Sequence, residues 1–483
     1  MNPAVTFGGG IPQVPGSEHY QNWEDFFKAI TAGYGTDLSQ LSGGGALRVE
    51  SLEATLMSVV QTVKDFALMN NLKKSPAKAT VDEWIEKSGV GGRMGGAFNS
   101  ELGTIQSASG TYNRRVALVK YLMTRREVSF VQNVQQTVVS AKAEEEVNGT
   151  LELLTSAEWA CFYGDSTVIA EEYDGLTKVI TDVADADHVI DMAGAGFDTA
   201  NGFESILDAA GVIRKRGNFG IPTDIYMSVL CQSDLDRFLD PAFRVPMTTV
   251  PDGGMKLGAP VNGIRTSYGD IKTHPDIFVE ESKMPAAGES PITNTTSNPT
   301  RPATVSLAVA AVATSKFGAA HAGNYYWAVA GINALGESDL RISAQQAMAA
   351  GQKCTLTIGA SGAQDESGYA IYRSRMNGTN GAADFRLMTR IARTGASTTF
   401  VDENRLIPGT SSAFVLNMSP AMEAISWRQL LPMTRFQLYP TMQATDPWAQ
   451  LLFGYLRVTK ARQHVLIKNI LPSKAAGSWN PFA

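Results

Sequence analysis

Residues 77–87 (AKATVDEWIEK) and 114–131 (RRVALVKYLMTRREVSFV) read as two long strands. Between them runs a glycine-rich tip, GVGGRMGGAFNSELGTIQSASGT. The pattern is that of two extended arms on a flexible turn. This feature constrains the fold more than any other. Strand arms of this length need partners for their backbone groups and their apolar side chains. One small domain cannot cover both faces of both arms, so those partners are expected on another chain.

At 483 residues the chain has length for two or three domains. Residues 1–45 are rich in Gly, Ser and Pro and end in Ser42-Gly43-Gly44-Gly45. Such a segment builds no core of its own and is read as an arm held by a neighbouring subunit. Over 46–70, Leu52, Leu56, Val59, Val63 and Phe66 recur at steps of three and four, which predicts a helix. Residues 132–163 return to that period, with Val147, Leu151 and Leu154 on one face. Glu144, Glu145 and Glu146 read as a solvated first turn favoured by the helix dipole, in preference to a metal site. Phe203, Ile206, Leu207, Ala210 and Ile213 outline another helix. The alternation Ile225, Met227, Val229 predicts a strand, and Ser233 with Asp236 a capped helix through Leu239. Helices and strands mixed in this way indicate an α+β body.

The character changes near Ser297-Asn298-Pro299-Thr300-Arg301-Pro302. From 299 to 414 the chain is short strands and turns: VSLAVAAV, YYWAVAGI, KCTLTI, YAIYRS and FRLMTRIA. This predicts a small β-sandwich that folds independently. Tyr325 and Trp327 share one face of their strand and are read as its core, in preference to a sugar-binding platform. After Ile407-Pro408-Gly409-Thr410 the α+β character resumes, so one domain is inserted into another at a site where insertion is tolerated.

The charged and reactive residues point to no familiar chemistry. The net charge of −6, with both signs scattered, lacks the basic excess of a protein that grips nucleic acid. Cys161, Cys231 and Cys354 are too sparse for a disulfide framework or a zinc site and read as buried thiols in a reducing compartment. The N-terminus has no signal-peptide pattern, and no apolar run is long enough to span a bilayer. Without a secretory signal, the sequons at Asn148, Asn294, Asn377 and Asn417 carry no meaning. No phosphate loop, nucleophile elbow or H-E-x-x-H occurs, and His19, His188, His274, His321 and His464 are scattered singly. The glycines at 89–96 lack dinucleotide-loop spacing. Asp182, Asp185, Asp187 and Asp191 are the best candidates for calcium, but they fit no EF-hand and read as an acidic turn. Arg114, Arg115, Arg125 and Arg126 could meet phosphate, but the charge balance favours acidic residues of a neighbour. The expectation is no catalytic, cofactor-binding or metal residue, and a protein of binding and assembly.

The order of these parts resembles the Hong Kong 97-type fold of tailed-phage major capsid proteins. Residues 1–45 are similar to its N-terminal arm, 71–130 to its extended loop and 132–163 to its spine helix. SAEWACFYGD (156–165) and EEYDGLTKVI (171–180) resemble the end of the spine helix and the segment after it. IPTDIYMSVLCQSDLDRFL (221–239) and NGIRTSYGDIKTHPDIFV (262–279) look like its axial domain. LLFGYLRVTKARQHVLIKNIL (451–471) looks like the closing strands of its peripheral domain. The likeness covers almost all of 1–290 and 415–483. GNYYWAVAGINALGES (323–338) and SGYAIYRSR (367–375) are similar to immunoglobulin-like and fibronectin type III modules.

The resemblance implies a division into arm (1–45), helix (46–70), extended loop (71–130), and spine helix with peripheral domain (131–180). The axial domain with part of the peripheral one comes next (181–298), then the insert (299–414) and the return of both (415–483). It implies a non-enzymatic shell protein of the virion, assembled in the host cytoplasm into hexamers and pentamers around double-stranded DNA. Scaffolding and portal proteins are expected partners, a decoration protein is a further candidate, and no membrane is involved. The Gly-rich arm is no fused scaffold and is expected to be retained. The insert is expected to project from the outer surface. Some capsids of the family join a loop lysine to a neighbour's asparagine. No lysine lies between Ser88 and Val119, Arg93 stays protonated, and Lys87 and Lys120 sit down the arms, so no cross-link is expected. An encapsulin-type compartment and a phage tail or adhesion protein are the alternatives.

Overall fold

The computed structural model describes residues 62–92, 97–105, 107–134, 140–183, 185–238, 261–279, 301–363, 365–440, 443–473 and 479–482, all within one compact unit. The N-terminal arm, residues 46–61 of the expected helix and Arg93 lie outside them.

The helical period expected through residue 70 is broken at Phe66, whose φ of −84° and ψ of 79° are not helical. Phe66 is fully buried and stacks on Phe278, with ring centroids 5.2 Å apart. Its tertiary contact outweighs the local period. A short helix α1 (Ala67–Asn71) and strand β1 (Lys74–Pro76) come after it. The first arm is β2 (Val81–Gly89), paired antiparallel with β3 (Thr111–Leu118) in a sheet of their own. The second arm, read as a single strand over 114–131, is two. Val119 is buried in the core, its N–H bonded to the Thr80 carbonyl at 2.9 Å. Beyond this anchor, β4 (Lys120–Ser129) leaves the hairpin.

Helix α2 (Phe130–Val134) leads to the long helix α3 (Ala141–Tyr163). The buried face of α3 carries Gly149, Leu153, Ala157 and Ala160, whereas Val147 is 51% exposed and off that face. A methyl on Gly149 would lie 2.0 Å from the Gln450 Oε1, so the helix contacts the sheet through its backbone there. That sheet has the order β1, β20 (Ile425–Gln437), β21 (Thr445–Val458), β4. Ala157 and Phe162 of the helix share a core with Trp427, Leu452 and Leu456 of the sheet.

The second part of the body begins after α4 (Leu176–Thr181). It comprises β5 (Val189–Asp191), α5 (Ala200–Arg214), β6 (Asp224–Met227), α6 (Val229–Phe238), β7 (Gly263–Thr266) and β8 (Gly269–Pro275). Val229, expected in the strand, opens α6. The Ser228 Oγ accepts the Cys231 N–H at 3.2 Å, so Ser228 is the cap and Ser233 lies inside the helix. Leu239 lies outside the described residues. With β19 (Ser411–Leu416) and β22 (Val465–Ile470) these strands form a six-stranded sheet, ordered β5-β22-β19-β6-β8-β7. Ile206, Ala210 and Ile213 of α5 pack on Ile225, Val415 and Ile467.

Among the described residues between β8 and β19 the chain is strands joined by turns and two short 3-10 segments, Ala319–His321 and Ala382–Asp384. β9 (Thr304–Ala311), β15 (Gln352–Gly359) and β18 (Ser397–Asp402) form a three-stranded sheet. A second sheet contains β11 (Trp327–Asn333), β12 (Gly336–Glu337), β13 (Arg341–Ile342), β16 (Gly368–Ser374) and β17 (Phe385–Ala392), and β10 (Gly323–Tyr325) pairs with β14 (Gln346–Met348). Cys354, Leu356 and Ile358 alternate on β15 and meet Trp327, Val329 and Ile371 from the other sheet. Strands β11 and β16 are buried on both faces. Their second face, Ala328, Ala330, Ala370 and Tyr372, packs with Val168 and Ile169 of the body.

Candidate assembly surface

Hairpin β2–β3 has two unlike faces. Asp82, Trp84 and Glu86 turn toward the body. Asp82 accepts from Arg428 Nε at 3.0 Å and from the Tyr455 hydroxyl at 2.6 Å, with Arg457 at 3.6 Å. Burial opposes ionisation of Asp82, but these hydrogen bonds and charges hold its carboxyl below the usual range. The hairpin base is thereby tied to β20 and β21. The opposite face carries Val81, Ile85, Tyr112, Val116 and Leu118, each 44–74% exposed. At the tip, Phe98, Leu102 and Ile105 are about nine-tenths exposed or more. These exposed apolar side chains alternate on that face with Glu83, Lys87 and Arg114, and Lys87 lies over the Tyr112 ring. Beneath the hairpin a cleft of about 610 Å³ runs between Trp84 and Ala117 on one side and Tyr173, Tyr455 and Val458 on the other.

Each arm arginine has a carboxylate partner within the chain. Arg114 pairs with Glu83, Arg115 with Glu86 at 3.1 Å, and Arg125 with Glu127 at 2.7 Å. Arg126 reaches α3, at 3.1 Å from Glu145 and 2.5 Å from Glu152. Glu146 pairs with Arg435 at 3.1 Å. Glu145 and Glu146 therefore anchor β4 and β20 and are not merely a solvated turn. Cross-strand and helix-facing geometry, which sequence spacing does not contain, sets these pairs.

Asp182, Asp185, Asp187 and Asp191 do not converge. Their partners are Lys178, Arg462, Lys215 and Asn469 respectively. Among the described residues no group of three His, Cys, Asp or Glu side chains is arranged to hold a metal ion, and no helix is long and apolar enough to cross a membrane. Gly91 and Gly92 have φ near +80°, a turn conformation that suits glycine; residues 93–96 lie outside the described residues. His274 meets Asp224 at 2.8 Å, His321 stacks on Phe482, and His188 and His464 are buried. Cys161, Cys231 and Cys354 are free and buried, and burial pushes the Cys354 thiol up to about 12. Such thiols are poor nucleophiles.

Sequence reasoning missed two buried polar centres. Arg373 and Asp402, each 1% exposed, pair at 2.8 Å between the two sheets of the all-strand segment. The guanidinium lies over the Phe317 and Tyr325 rings, and Asp402 also accepts the Trp327 Nε1–H at 3.0 Å. Glu158, fully buried on α3, accepts the N–H groups of Leu68 (2.7 Å) and Met69 (2.8 Å) and faces Asp276. The available signal was a single charge inside an apolar run, as in SAEWACFY and YAIYRS.

No protein-family model matches the chain. The major capsid protein of Staphylococcus phage K is 26% identical over 470 residues, covering 92% of this chain and 95% of that one. The major capsid protein of Staphylococcus phage S25-3 matches with the same identity and coverage. Among solved structures, the capsid of the native GTA particle aligns with a TM-score of 0.47 and 8% identity, over 90% of this chain and 100% of its own.

Proposed function

We propose that this chain is the major capsid protein of a tailed phage, a structural and non-enzymatic subunit of the virion head shell. The observation that carries the reading is likeness to phage major capsid proteins along nearly the full length of both chains. The exposed apolar face of β2–β3 supports it, because a shell subunit works by burying such surface against its copies. Stable interfaces of this kind remove roughly 1,200–2,000 Å² from water. Heterologous contacts close into rings, and small changes of angle allow five- and six-fold rings from one chain.

In this reading the fold is of the Hong Kong 97 type. The four-stranded sheet with α3 is the peripheral domain and spine, and the six-stranded sheet is the axial domain that gathers at ring centres. The hairpin lies over a neighbouring subunit. The segment expected over 299–414 is an inserted immunoglobulin-like β-sandwich displayed outside the floor, but it ends before Gly409, because Ser411–Phe414 belong to β19 of the six-stranded sheet. Hexamers and pentamers enclose double-stranded DNA held by weak contacts, with a separate scaffolding protein and a portal as assembly partners. Subunit contacts are non-covalent. Lys87 lies over the Tyr112 ring and Lys120 donates to the Ala170 carbonyl, so both amines are engaged within the chain.

Electron microscopy of the purified protein tests the reading. Closed shells of hexameric and pentameric rings are expected, with the β2–β3 outer face covered by another copy. A paired Ile85→Asp, Val116→Asp variant should keep its circular dichroism and lose assembly. A hairpin folded back wholly on its own chain in assembled particles, or particles without hexameric and pentameric rings, would overturn the proposal. Covalent ladders on a denaturing gel of mature particles would refute the non-covalent contact.

A further inference from the structure

Residues 479–482 touch three separate parts of the chain. The Trp479 Nε1–H donates to the Asp384 carbonyl at 3.0 Å, and the Arg386 guanidinium lies 4.9 Å from the Trp479 ring centroid. Both partners belong to the all-strand segment. The same ring rests on Gly409, in the connection back to the body. Gly409 has φ +79°, and a methyl there would sit 2.0 Å from the Trp479 Cζ3. Further along the tail, the Pro481 carbonyl accepts the Met376 N–H at 3.0 Å. Phe482 stacks on His321 of the insert, with centroids 4.5 Å apart and planes within 24°. Its other side lies against Gly194 of the body, where a methyl would be 2.9 Å from the Phe482 Cε2. Trp479 and Pro481 are buried.

We propose that residues 479–482 are a latch that clamps the inserted segment onto the body of the same subunit. Two aromatic rings each bridge the insert and a glycine outside it. Those glycines, Gly194 and Gly409, both hold positive φ and leave room that a side chain would fill. Removing one ring therefore loosens the insert where it touches the tail, without opening either core. The latch acts within one subunit and does not depend on what the assembled particle is. Its consequence is mechanical: the latch is a second tie beside the packing on Val168 and Ile169, and displacing the tail loosens the insert where the two meet.

Hydrogen exchange on the full chain tests this, because the Met376 amide is itself bonded to the latch. Deleting residues 479–483 is expected to speed exchange at Met376 and across 382–386 roughly tenfold, with amides of β15 and β21 unchanged. Phe482→Ala, which removes only one ring, should give a smaller change at the same places. Trp479→Ala and Arg386→Ala should be less than additive, since each removes the same contact. Unchanged exchange at Met376 would overturn the latch. So would a uniform acceleration over the whole chain, which would mark the tail as part of general stability, or full additivity of the two substitutions.

Discussion

Arg390, on β17 of the insert, donates from both terminal nitrogens to the two carboxylate oxygens of Glu172 in the body, at 3.0 Å each. Arg390 and Glu172 are 14% and 18% exposed. The same guanidinium donates to the Tyr163 carbonyl at 2.6 Å and lies 4.7 Å from the Trp159 ring centroid. A planar, bidentate pair of this kind fixes direction as well as distance. The insert is therefore not only joined by its two connections; it is held against the end of α3. Arg390→Ala leaves Glu172 half enclosed without its cation. The expected loss is about 2–3 kcal/mol of stability in urea titration, and Arg390→Lys should recover less than half, because Lys is not bidentate.

Residues 301–406 have a core cluster around Trp327, Leu356 and Ile371, crossed by the Arg373–Asp402 pair. Their second apolar face is covered by Val168 and Ile169. Residues 301–406 expressed alone should therefore melt cooperatively, but at a lower temperature than in the full chain. The fragment should also bind a hydrophobic dye through the uncovered face, and Tyr372→Ser should reduce that binding. A fragment without a melting transition would show that the body is needed to fold it.

Burial raises both Glu158 and Asp276 above the ordinary carboxyl range. Burial raises Glu158 to about 9, and the nearby Asp276 adds to the shift. Two backbone N–H groups favour the anion at Glu158, while the buried Asp276 Oδ2 has no other donor among the described residues. With both carboxyls charged the two would repel in a buried site, so the folded pair retains a proton. The folded pair keeps a proton that the unfolded chain releases near the ordinary carboxyl value. Stability from this pair thus falls as pH rises from about 4.5 toward about 9. Asp276→Asn supplies a permanent donor and should flatten that slope in urea titrations. Glu158→Gln sets an amide against two N–H groups and should cost about 2 kcal/mol.

His464 is fully buried, and its Nδ1 accepts the Asn417 N–H at 3.4 Å. Burial, with the neighbouring His188, lowers its value to about 4. The unfolded chain binds this proton near the ordinary histidine value of about 6.5 and the folded chain does not. Stability is therefore complete above about 6.5 and is lost as pH falls toward about 4, by roughly 3 kcal/mol in all. His464→Gln should remove that part of the acid sensitivity in melts between these two limits. An unchanged pH profile would exclude His464 as its source.

The backbone periods of this chain were legible without coordinates. Period-two runs marked β9 and β15, and the three-to-four spacing marked α3 and α5, because one-sided burial writes itself into the order of apolar residues. The arms with their glycine tip were legible for the same reason, but not that β4 of the second arm finds its strand partner, β21, within the chain. Where an element ends and what meets it were not. Phe66 leaves the helical period to stack on Phe278, and Val119 divides the second arm by entering the core. Arg126, Arg390 and Arg373 find carboxylates 19, 218 and 29 residues away, and only the folded chain brings them together. The sequence by itself determined which segments are strand or helix and which face of each is apolar, since those are local properties of side-chain order. Tertiary structure alone decided the charge pairs, the buried acid pair and the seat of the C-terminal rings. Each depends on the free energy of desolvating a polar or aromatic group beside a partner distant in sequence.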